Sequence, residues 1–168
     1  SESVYVKYQG KSLEYATKYY WAVKVWTNKS AKPKQSKISS WTTGLMDKKN
    51  WDSDWIGVNN DDKKGPKSPY FTNDFVVGGR ITSASLFITS RGIYEAHING
   101  KRVGKSYLTP GWTSYNNRIQ YQAYDVKDML SSGENRIGVI LADGWFRNFR
   151  PNRGKRKTDY GDEISFIS

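Results

Sequence analysis

Short runs in which apolar and polar residues alternate recur along this chain, and a period of two is typical of half-buried β-strands. Residues 19–27 show it first and predict a strand with two usable faces. The polar residues 28–40 predict a loop, and residues 41–45 predict a short strand that ends at Gly44. The first part of the chain therefore supplies only two or three predicted strands.

Further strands are predicted beyond a loop-rich stretch that begins near Met46. Residues 71–77 predict a strand before a Gly-Gly turn, residues 136–142 predict another, and residues 125–130 predict a helical turn with Asp125 as its N-cap. Three alternating runs lie between, with the predicted inward faces Ala84, Leu86 and Ile88, then Tyr94, Ala96 and Ile98, then Ile119, Tyr121 and Ala123. This succession predicts an all-β fold, an antiparallel β-sandwich or jelly roll.

A hairpin signal stands out at Asn99-Gly100, which lies between two alternating runs. The same segment, residues 99–106 with the sequence NGKRVGKS, comes close to a phosphate-binding P-loop. Its first position is asparagine instead of glycine, and Pro110-Gly111 forbid the helix whose N-terminus would hold the phosphates. The hairpin is therefore the favoured interpretation.

Two unequal domains are expected. Residues 1–45 carry too few strands to fold alone, and we interpret them as the tail of a truncated domain. Residues 46–168 carry the longer strand succession and form the second domain, which is itself interpreted as truncated near its C-terminal end.

The formal net charge of +11 raises the question of a nucleic-acid partner, because clustered Lys and Arg release counterions from phosphates. One basic cluster lies in residues 24–37, and the other runs through residues 147–157, with Phe146 and Phe149 interleaved. Solvated surface loops explain both clusters and are the favoured interpretation. A nucleic acid is therefore not the expected partner.

The compartment stays open on composition. No apolar run approaches the roughly 20 residues that span a bilayer, so no membrane partner is expected. The first residues lack the order typical of a signal peptide, and the chain is expected to begin mature or within a longer protein. The absence of cysteine excludes disulfides and zinc-thiolate sites without fixing the compartment. A periplasmic or extracellular location is favoured over a cytoplasmic one.

Catalytic groups are hard to assemble from these residues. His97 is the only histidine and is interpreted as an ordinary strand side chain. A glycosidase needs two carboxylates at a set separation, for which Asp143, Asp159 and Asp162 are the candidates. Turn formation explains these aspartates as well and is favoured, so no catalytic residue is assigned.

Oxygen ligands and loop aromatics suggest two kinds of binding site. The amides and carboxylates of residues 59–62 could bind calcium, although a plain surface loop is favoured on composition. Tyr and Trp rings stack on the apolar faces of sugars, so aromatic residues in turns suit a carbohydrate site. Those in turns are Trp112, Tyr115, Trp145 and Phe146, whereas those assigned to the core are Trp21, Trp41 and Trp55.

The motifs of residues 92–147 resemble those of the N-terminal β-sandwich domain of bacterial α-L-rhamnosidases, a galactose-binding-like jelly roll. In chain order they are GIYE, NGKRVG, LTPGWTSY, YQAYDVKDML, GEN and ADGWFR. Upstream, YYWAVKVW, SSWTTGL and WDSDWIG resemble the fibronectin type III-like domain and the connector that precede this sandwich. DYGDE resembles the element that follows it, so the resemblance covers nearly the whole chain.

The resemblance implies the non-catalytic N-terminal region of a glycoside hydrolase that removes terminal α-L-rhamnose by inversion. The catalytic carboxylates would lie on a downstream (α/α)6 barrel, and this region would support the fold or recognise a rhamnose-containing carbohydrate. Some relatives of the sandwich bind rhamnose through calcium. The expected sugar-binding residues are Asn60, Asp61, Trp112, Tyr115, Asp143 and Trp145. The expected calcium ligands are Asn59, Asn60, Asp61 and Pro110, with Thr109 beside them.

Two other functions stay open at this point. A freestanding carbohydrate-binding module predicts a gene that ends near residue 168. A basic nucleic-acid-binding domain predicts an affinity that falls steeply with salt and is lost when residues 147–157 are neutralised.

Overall fold

Antiparallel strands make up most of the regular structure in the computed structural model, which describes residues 7–58, 68–147 and 160–168. The all-β prediction is confirmed, since the described helical turns are short 3₁₀ turns at Lys48–Asn50 and Lys127–Met129. None of the described helices has the length and apolar character needed to cross a membrane. The chain divides into two compact units, Ser1–Asp52 and Ser53–Ser168.

The first unit contains two separate two-stranded antiparallel sheets. One pairs β1 (Lys18–Trp21) with β4 (Ser39–Thr42), and the other pairs β2 (Lys24–Thr27) with β3 (Ser30–Gln35). The prediction of one continuous strand over residues 19–27 is wrong, because the chain leaves the strand conformation at Ala22 and Val23. The predicted loop over residues 28–40 is also wrong, because β3 lies within it. The strand can contain Pro33 because both strands of a two-stranded sheet are edge strands.

Large aromatic side chains of the first unit are exposed. Trp21 is 50% exposed and Trp41 is 45% exposed, so their assignment to the core is wrong. A sheet of two strands offers too little apolar surface to bury an indole ring. In the second unit Trp55 is 37% exposed, and the guanidinium of Arg91 lies over its ring at 4.5 Å from the centroid, which also places it outside the core.

The second unit contains two four-stranded sheets. One has the strand order β10-β7-β12-β5 and the other has the order β6-β11-β8-β9, and the paired strands run antiparallel. The strands are β5 (Ile56–Gly57), β6 (Tyr70–Val77), β7 (Ser85–Arg91), β8 (Ile93–Ile98), β9 (Lys101–Arg102), β10 (Gln122–Asp125), β11 (Gly133–Ala142) and β12 (Ser165–Ile167).

Side chains from both sheets form one core. Ile88 and Phe166 of one sheet belong to the same buried cluster as Leu141 of the other. The predicted inward faces of residues 81–90 and 93–98 are confirmed. The unit is therefore a β-sandwich, held together by burial of apolar side chains between its sheets.

The predicted inward face of residues 118–124 is wrong. Gln122 and Tyr124 turn toward the interior, where the Tyr94 hydroxyl donates to Gln122 Oε1 at 2.8 Å and lies 3.4 Å from the Tyr124 hydroxyl. These polar contacts set the register of β10 against the core. The residues left exposed are Tyr121 and Ala123.

The hairpin is confirmed. The helical turn is confirmed as a 3₁₀ turn, but its predicted N-cap at Asp125 is wrong, because Val126 occupies that position. Asn99 and Gly100 have φ angles of 51° and 77°, as a type I′ turn between β8 and β9 requires. The Lys127 N–H donates to Asp125 Oδ1 at 3.1 Å at the start of the second 3₁₀ turn.

An asparagine pair connects the hairpin with the turn before β11. Asn99 Nδ2 donates to Asn135 Oδ1 at 2.8 Å and to the Met129 carbonyl at 3.0 Å. Asn135 is 4% exposed, and its Nδ2 donates to the carbonyls of Ser131 at 2.8 Å and Gly133 at 2.9 Å. Its Oδ1 also accepts the Ser131 N–H at 2.8 Å, so both polar atoms of this buried amide have partners.

Candidate functional site

Three aromatic rings meet where the loop after β9, the turn after β11 and the C-terminal segment come together. The Tyr115 ring lies edge-on to Phe146 and Tyr160, with centroid distances of 5.3 Å and 4.9 Å. Tyr115 and Phe146 are buried, whereas Tyr160 is half-buried. The rings therefore form a packed wall in which Tyr160 keeps the most accessible surface.

The loop that carries Tyr115 is fixed from both sides. Upstream, the Tyr94 N–H donates to the Thr109 carbonyl at 2.8 Å, and the Thr109 hydroxyl donates back to the Tyr94 carbonyl at 2.9 Å. The Tyr115 hydroxyl donates to the Gly111 carbonyl at 3.2 Å. Burial, and after it the neighbouring Tyr160 hydroxyl, raise the pKa of Tyr115, so its phenol stays neutral and available for that hydrogen bond.

A buried ion pair holds the turn after β11. Arg147 is 1% exposed, and its Nη2 and Nε lie 2.7 Å and 3.0 Å from Asp143 Oδ1. Its Nη1 donates to the Asp162 carbonyl at 3.0 Å. The guanidinium therefore joins the turn that carries Phe146 to the segment that carries Tyr160.

A groove of about 460 Å³ opens beside the aromatic rings. Its lining residues are Arg91, Tyr115, Asn116, Ile119, Phe146, Tyr160, Gly161, Asp162 and Glu163. We call this the aromatic groove. It combines ring surfaces with a guanidinium, an amide and two carboxylates, the mixture of apolar walls and few polar groups that small-ligand sites use.

Among the predicted sugar-binding residues, the structure brings Tyr115 to the aromatic groove. Trp112 is 66% exposed and Trp145 is 38% exposed, and neither lines it. The carboxylate of Asp143 is engaged with Arg147. The remaining two, Asn60 and Asp61, lie outside the described residues.

The predicted calcium site falls mostly outside the described residues, because Asn59, Asn60 and Asp61 are not among them. Pro110 is buried, and its carbonyl accepts a hydrogen bond from Gln122 Nε2 at 3.3 Å. Within residues 7–58, 68–147 and 160–168, no three His, Cys, Asp or Glu side chains are grouped as a metal site. The calcium site stays a prediction.

The two basic clusters differ in the structure. The lysines of residues 24–37 are exposed, as expected. Arg147 is buried, so its assignment to a solvated loop is wrong, and the reason is its ion pair with Asp143. Phe146 is buried as well, and the rest of that basic cluster lies outside the described residues.

The single histidine has a polar strand environment. His97 Nε2 lies 3.2 Å from Glu95 Oε1, and Arg102 Nε lies 2.9 Å from the other oxygen of that carboxylate. The interpretation of His97 as an ordinary half-buried side chain agrees with this position.

Six groove residues were not among the candidate site residues of the sequence analysis: Arg91, Asn116, Ile119, Tyr160, Gly161 and Glu163. β12 pairs with β7 so that Ser165 lies opposite Arg91, which brings the preceding residues of the chain to the end of β7. In the sequence, the DYGDE motif at residues 159–163 was the feature that could have pointed to the residues before β12.

Comparison with known proteins identifies two successive families. The family described as "Alpha-L-rhamnosidase N-terminal domain" matches residues 79–168. The family described as "Rha78A-like, N-terminal immunoglobulin domain" matches residues 1–47.

Individual relatives agree with these families. An α-L-rhamnosidase of Formosa agariphila is 33% identical over 167 residues, which cover 87% of this chain and 18% of the relative. Among solved structures, native α-L-rhamnosidase from Aspergillus terreus superposes with a TM-score of 0.84 at 30% identity, covering 99% of this chain and 20% of that one. Streptomyces avermitilis α-L-rhamnosidase complexed with L-rhamnose gives a TM-score of 0.56 at 33% identity, covering 60% and 10%.

The chain thus spans about a fifth or less of the length of these relatives. The motifs of residues 92–147 fall within the first matched family, so the resemblance inferred from them is confirmed. The chain belongs to the α-L-rhamnosidase N-terminal domain family.

Proposed function

We propose that this chain is the non-catalytic N-terminal region of a glycoside hydrolase that releases terminal α-L-rhamnose, with inversion, from glycans or glycosides. The observation that carries the proposal is the match to two N-terminal domain families in succession, in relatives that extend far beyond the matched part. The catalytic carboxylates would lie on a downstream (α/α)6 barrel of the same polypeptide. Residues 1–45 would belong to a fibronectin type III-like domain and residues 46–168 to the jelly roll.

Three of the described carboxylates are engaged in ion pairs, which supports a non-catalytic role for them. Inversion needs an acid and a base whose carboxyl groups are about 6.5–9.5 Å apart, with room for water between them. Asp143 is engaged by Arg147, Asp74 by Arg136 and Glu95 by Arg102. A carboxylate that is engaged by a guanidinium is not free to contact a substrate or a water molecule as an acid or base must.

The alternative of a nucleic-acid-binding domain is disfavoured by one position. Arg147 would have to reach a phosphate, yet it is buried and satisfied by Asp143 and Asp162. A freestanding carbohydrate-binding module remains the second candidate, favoured by the aromatic groove, and the length of the complete gene separates it from the first. A calcium-dependent rhamnose site at Asn59, Asn60, Asp61 and Pro110 is part of the proposal for either candidate.

The test compares this chain with the full-length protein on an aryl α-L-rhamnoside. We expect the full-length protein to release rhamnose, with the β-anomer appearing first by NMR, and the chain alone to release none. Near-UV circular dichroism checks that the isolated chain is folded. Turnover by the folded chain would contradict the non-catalytic role, and an inactive full-length protein would contradict the rhamnosidase assignment.

A further inference from the structure

Pro110, the described member of the predicted calcium site, does not line the aromatic groove. It lies at the end of β7, between the turn after β11 and the segment that leads into β12. Its volume of about 460 Å³ falls inside the range of roughly 300–1,000 Å³ that small-ligand sites occupy. These properties make it a candidate site for a small ligand.

Tyr160 supplies a preformed stacking surface in this groove. Tyr115 meets its ring edge-on at 4.9 Å, and the Phe146 ring lies 6.5 Å away and inclined by only 24°. Both neighbours are buried while Tyr160 is half-buried. A ring held by two neighbours loses little conformational entropy when a ligand stacks on its free surface.

Polar groups beside the ring suit hydroxyl groups. The lining includes Asp162 and Glu163, whose carboxylates can accept hydrogen bonds, and Arg91, whose guanidinium can donate them. Arg91 is held in place by stacking on Trp55 at 4.5 Å. A sugar hydroxyl both donates and accepts, so it can use both kinds of group.

The charge balance of the groove selects among sugars. The described lining residues include the two acidic residues Asp162 and Glu163 and one basic residue, Arg91. The acidic group of a uronate or a sulfated sugar would be repelled beside either carboxylate, while a neutral ring would not. The aromatic and aliphatic surfaces of Phe146 and Ile119 favour a ring that also carries an apolar substituent.

We infer that the aromatic groove binds a neutral hexopyranose unit of the glycan, with Tyr160 as the stacking residue and Arg91, Asp162 and Glu163 as its hydrogen-bonding partners. This inference rests on the proposed function, because the glycan that a rhamnosidase acts on would provide the sugar unit that binds in the groove. The groove adds a contact with the substrate away from the bond that is cleaved.

The test uses the full-length protein, with calorimetric titration of L-rhamnose, which has no glycosidic bond to hydrolyse, as the binding measurement. Tyr160→Ala is expected to remove one binding site per chain, while Tyr160→Phe keeps the ring and retains that site. Glu163→Gln is expected to weaken binding at this site roughly three- to tenfold, because it exchanges a charged hydrogen-bond acceptor for a neutral one. The matched control is Tyr107→Ala, which removes an exposed tyrosine that stacks on Arg102 outside the groove and should change nothing.

Two results would overturn the inference: an unchanged number of sites in a folded Tyr160→Ala protein, or equal binding of a galacturonate oligosaccharide at the Tyr160-dependent site. Thermal melting of each variant shows whether it is folded, and Glu163→Gln decides the matter if Tyr160→Ala is not. Failure of the proposed function has a different signature, because a protein that hydrolyses no rhamnoside can still show Tyr160-dependent binding of a neutral sugar.

Discussion

Arg147 and Asp143 form a buried ion pair in which two guanidinium nitrogens meet one carboxylate oxygen, at 2.7 Å and 3.0 Å. The other carboxylate oxygen, Asp143 Oδ2, is buried without a hydrogen-bond partner among the described residues. Charges removed from water in this way are costly unless both partners are present. The turn after β11 therefore depends on the pair as a unit.

Replacing Arg147 by Met should destabilise the second unit by about 3–5 kcal/mol, because Asp143 would remain as an uncompensated buried charge. Urea unfolding of the chain measures this loss. The double variant Asp143→Leu with Arg147→Met removes both charges and should be less destabilised than Arg147→Met alone. Equal or greater loss in the double variant would show that the ion pair is not what stabilises this turn.

Tyr94 should make stability fall at alkaline pH. Burial, followed by the Tyr124 hydroxyl, raises the pKa of Tyr94 above the ordinary value of 10.0. Its contribution is therefore fully present below about pH 10, where both folded and unfolded phenols are neutral, and is lost as rising pH ionises the unfolded chain first. Tyr94→Phe should cost about 0.5–1.5 kcal/mol at pH 7 through the lost hydrogen bond to Gln122.

The stability difference between the wild-type chain and Tyr94→Phe should then shrink between about pH 10 and pH 11.5 in urea unfolding. A difference that stays constant over this range would mean that the phenol ionises equally well in both states.

Asn135→Asp should be strongly destabilising although the two side chains have the same shape. The carbonyls of Ser131 and Gly133 face Asn135 Nδ2, and an aspartate oxygen there would meet them without a proton. We expect a loss of about 2–4 kcal/mol at pH 7. The pKa of the new carboxyl would be raised, so part of the loss should be recovered at pH 4.5, where the protonated acid can donate.

Asn135→Ala is the matched control for this pH effect. It also loses the hydrogen bonds but carries no titratable group, so its deficit relative to wild type should not shrink at low pH. Parallel recovery in both variants would assign the pH effect to another group.

Two glycines with positive φ should respond differently to alanine. At Gly100 (φ 77°) a Cβ would meet nothing within 4 Å, so Gly100→Ala should cost only the backbone strain of about 1–2 kcal/mol. At Gly92 (φ 126°) a Cβ would lie 2.5 Å from the Ala142 carbonyl oxygen, which belongs to the neighbouring strand. Gly92→Ala should therefore cost at least about twice as much in the same unfolding experiment, and equal losses would contradict the steric explanation.

Strands of the second unit could be predicted from the alternation of apolar and polar residues, because one face of each strand packs against the core. Tyr94, Ala96 and Ile98 are buried while the residues between them are not, and the sequence shows the same period. In the first unit, the alternation in the sequence is not matched by an alternation of buried and exposed side chains. Val25 and Trp26 are neighbours in one strand and are 51% and 67% exposed, so no alternation of burial distinguishes its strands.

Part of the candidate site was also within reach of the sequence. Tyr115 was predicted because turns that carry aromatic rings suit sugars. Arg91 and Glu163 could not be predicted, because they become neighbours only through the pairing of β12 with β7. The burial of Arg147 could not be predicted, because it lies in a run of basic residues. Nothing in that run indicates an ion pair with the aspartate four residues earlier.

The position of β12 also determines the order in which this unit can be completed during synthesis. β12 is an inner strand whose three residues are all buried, and β5 pairs with no other strand among the described residues. Ile56 and Gly57 leave the ribosome long before their partner strand, so one edge of β7 stays open until β12 is made. A nascent chain in that state presents unpaired backbone groups and apolar side chains to other proteins, and it ceases to do so only when Ser165–Ile167 enter the sheet.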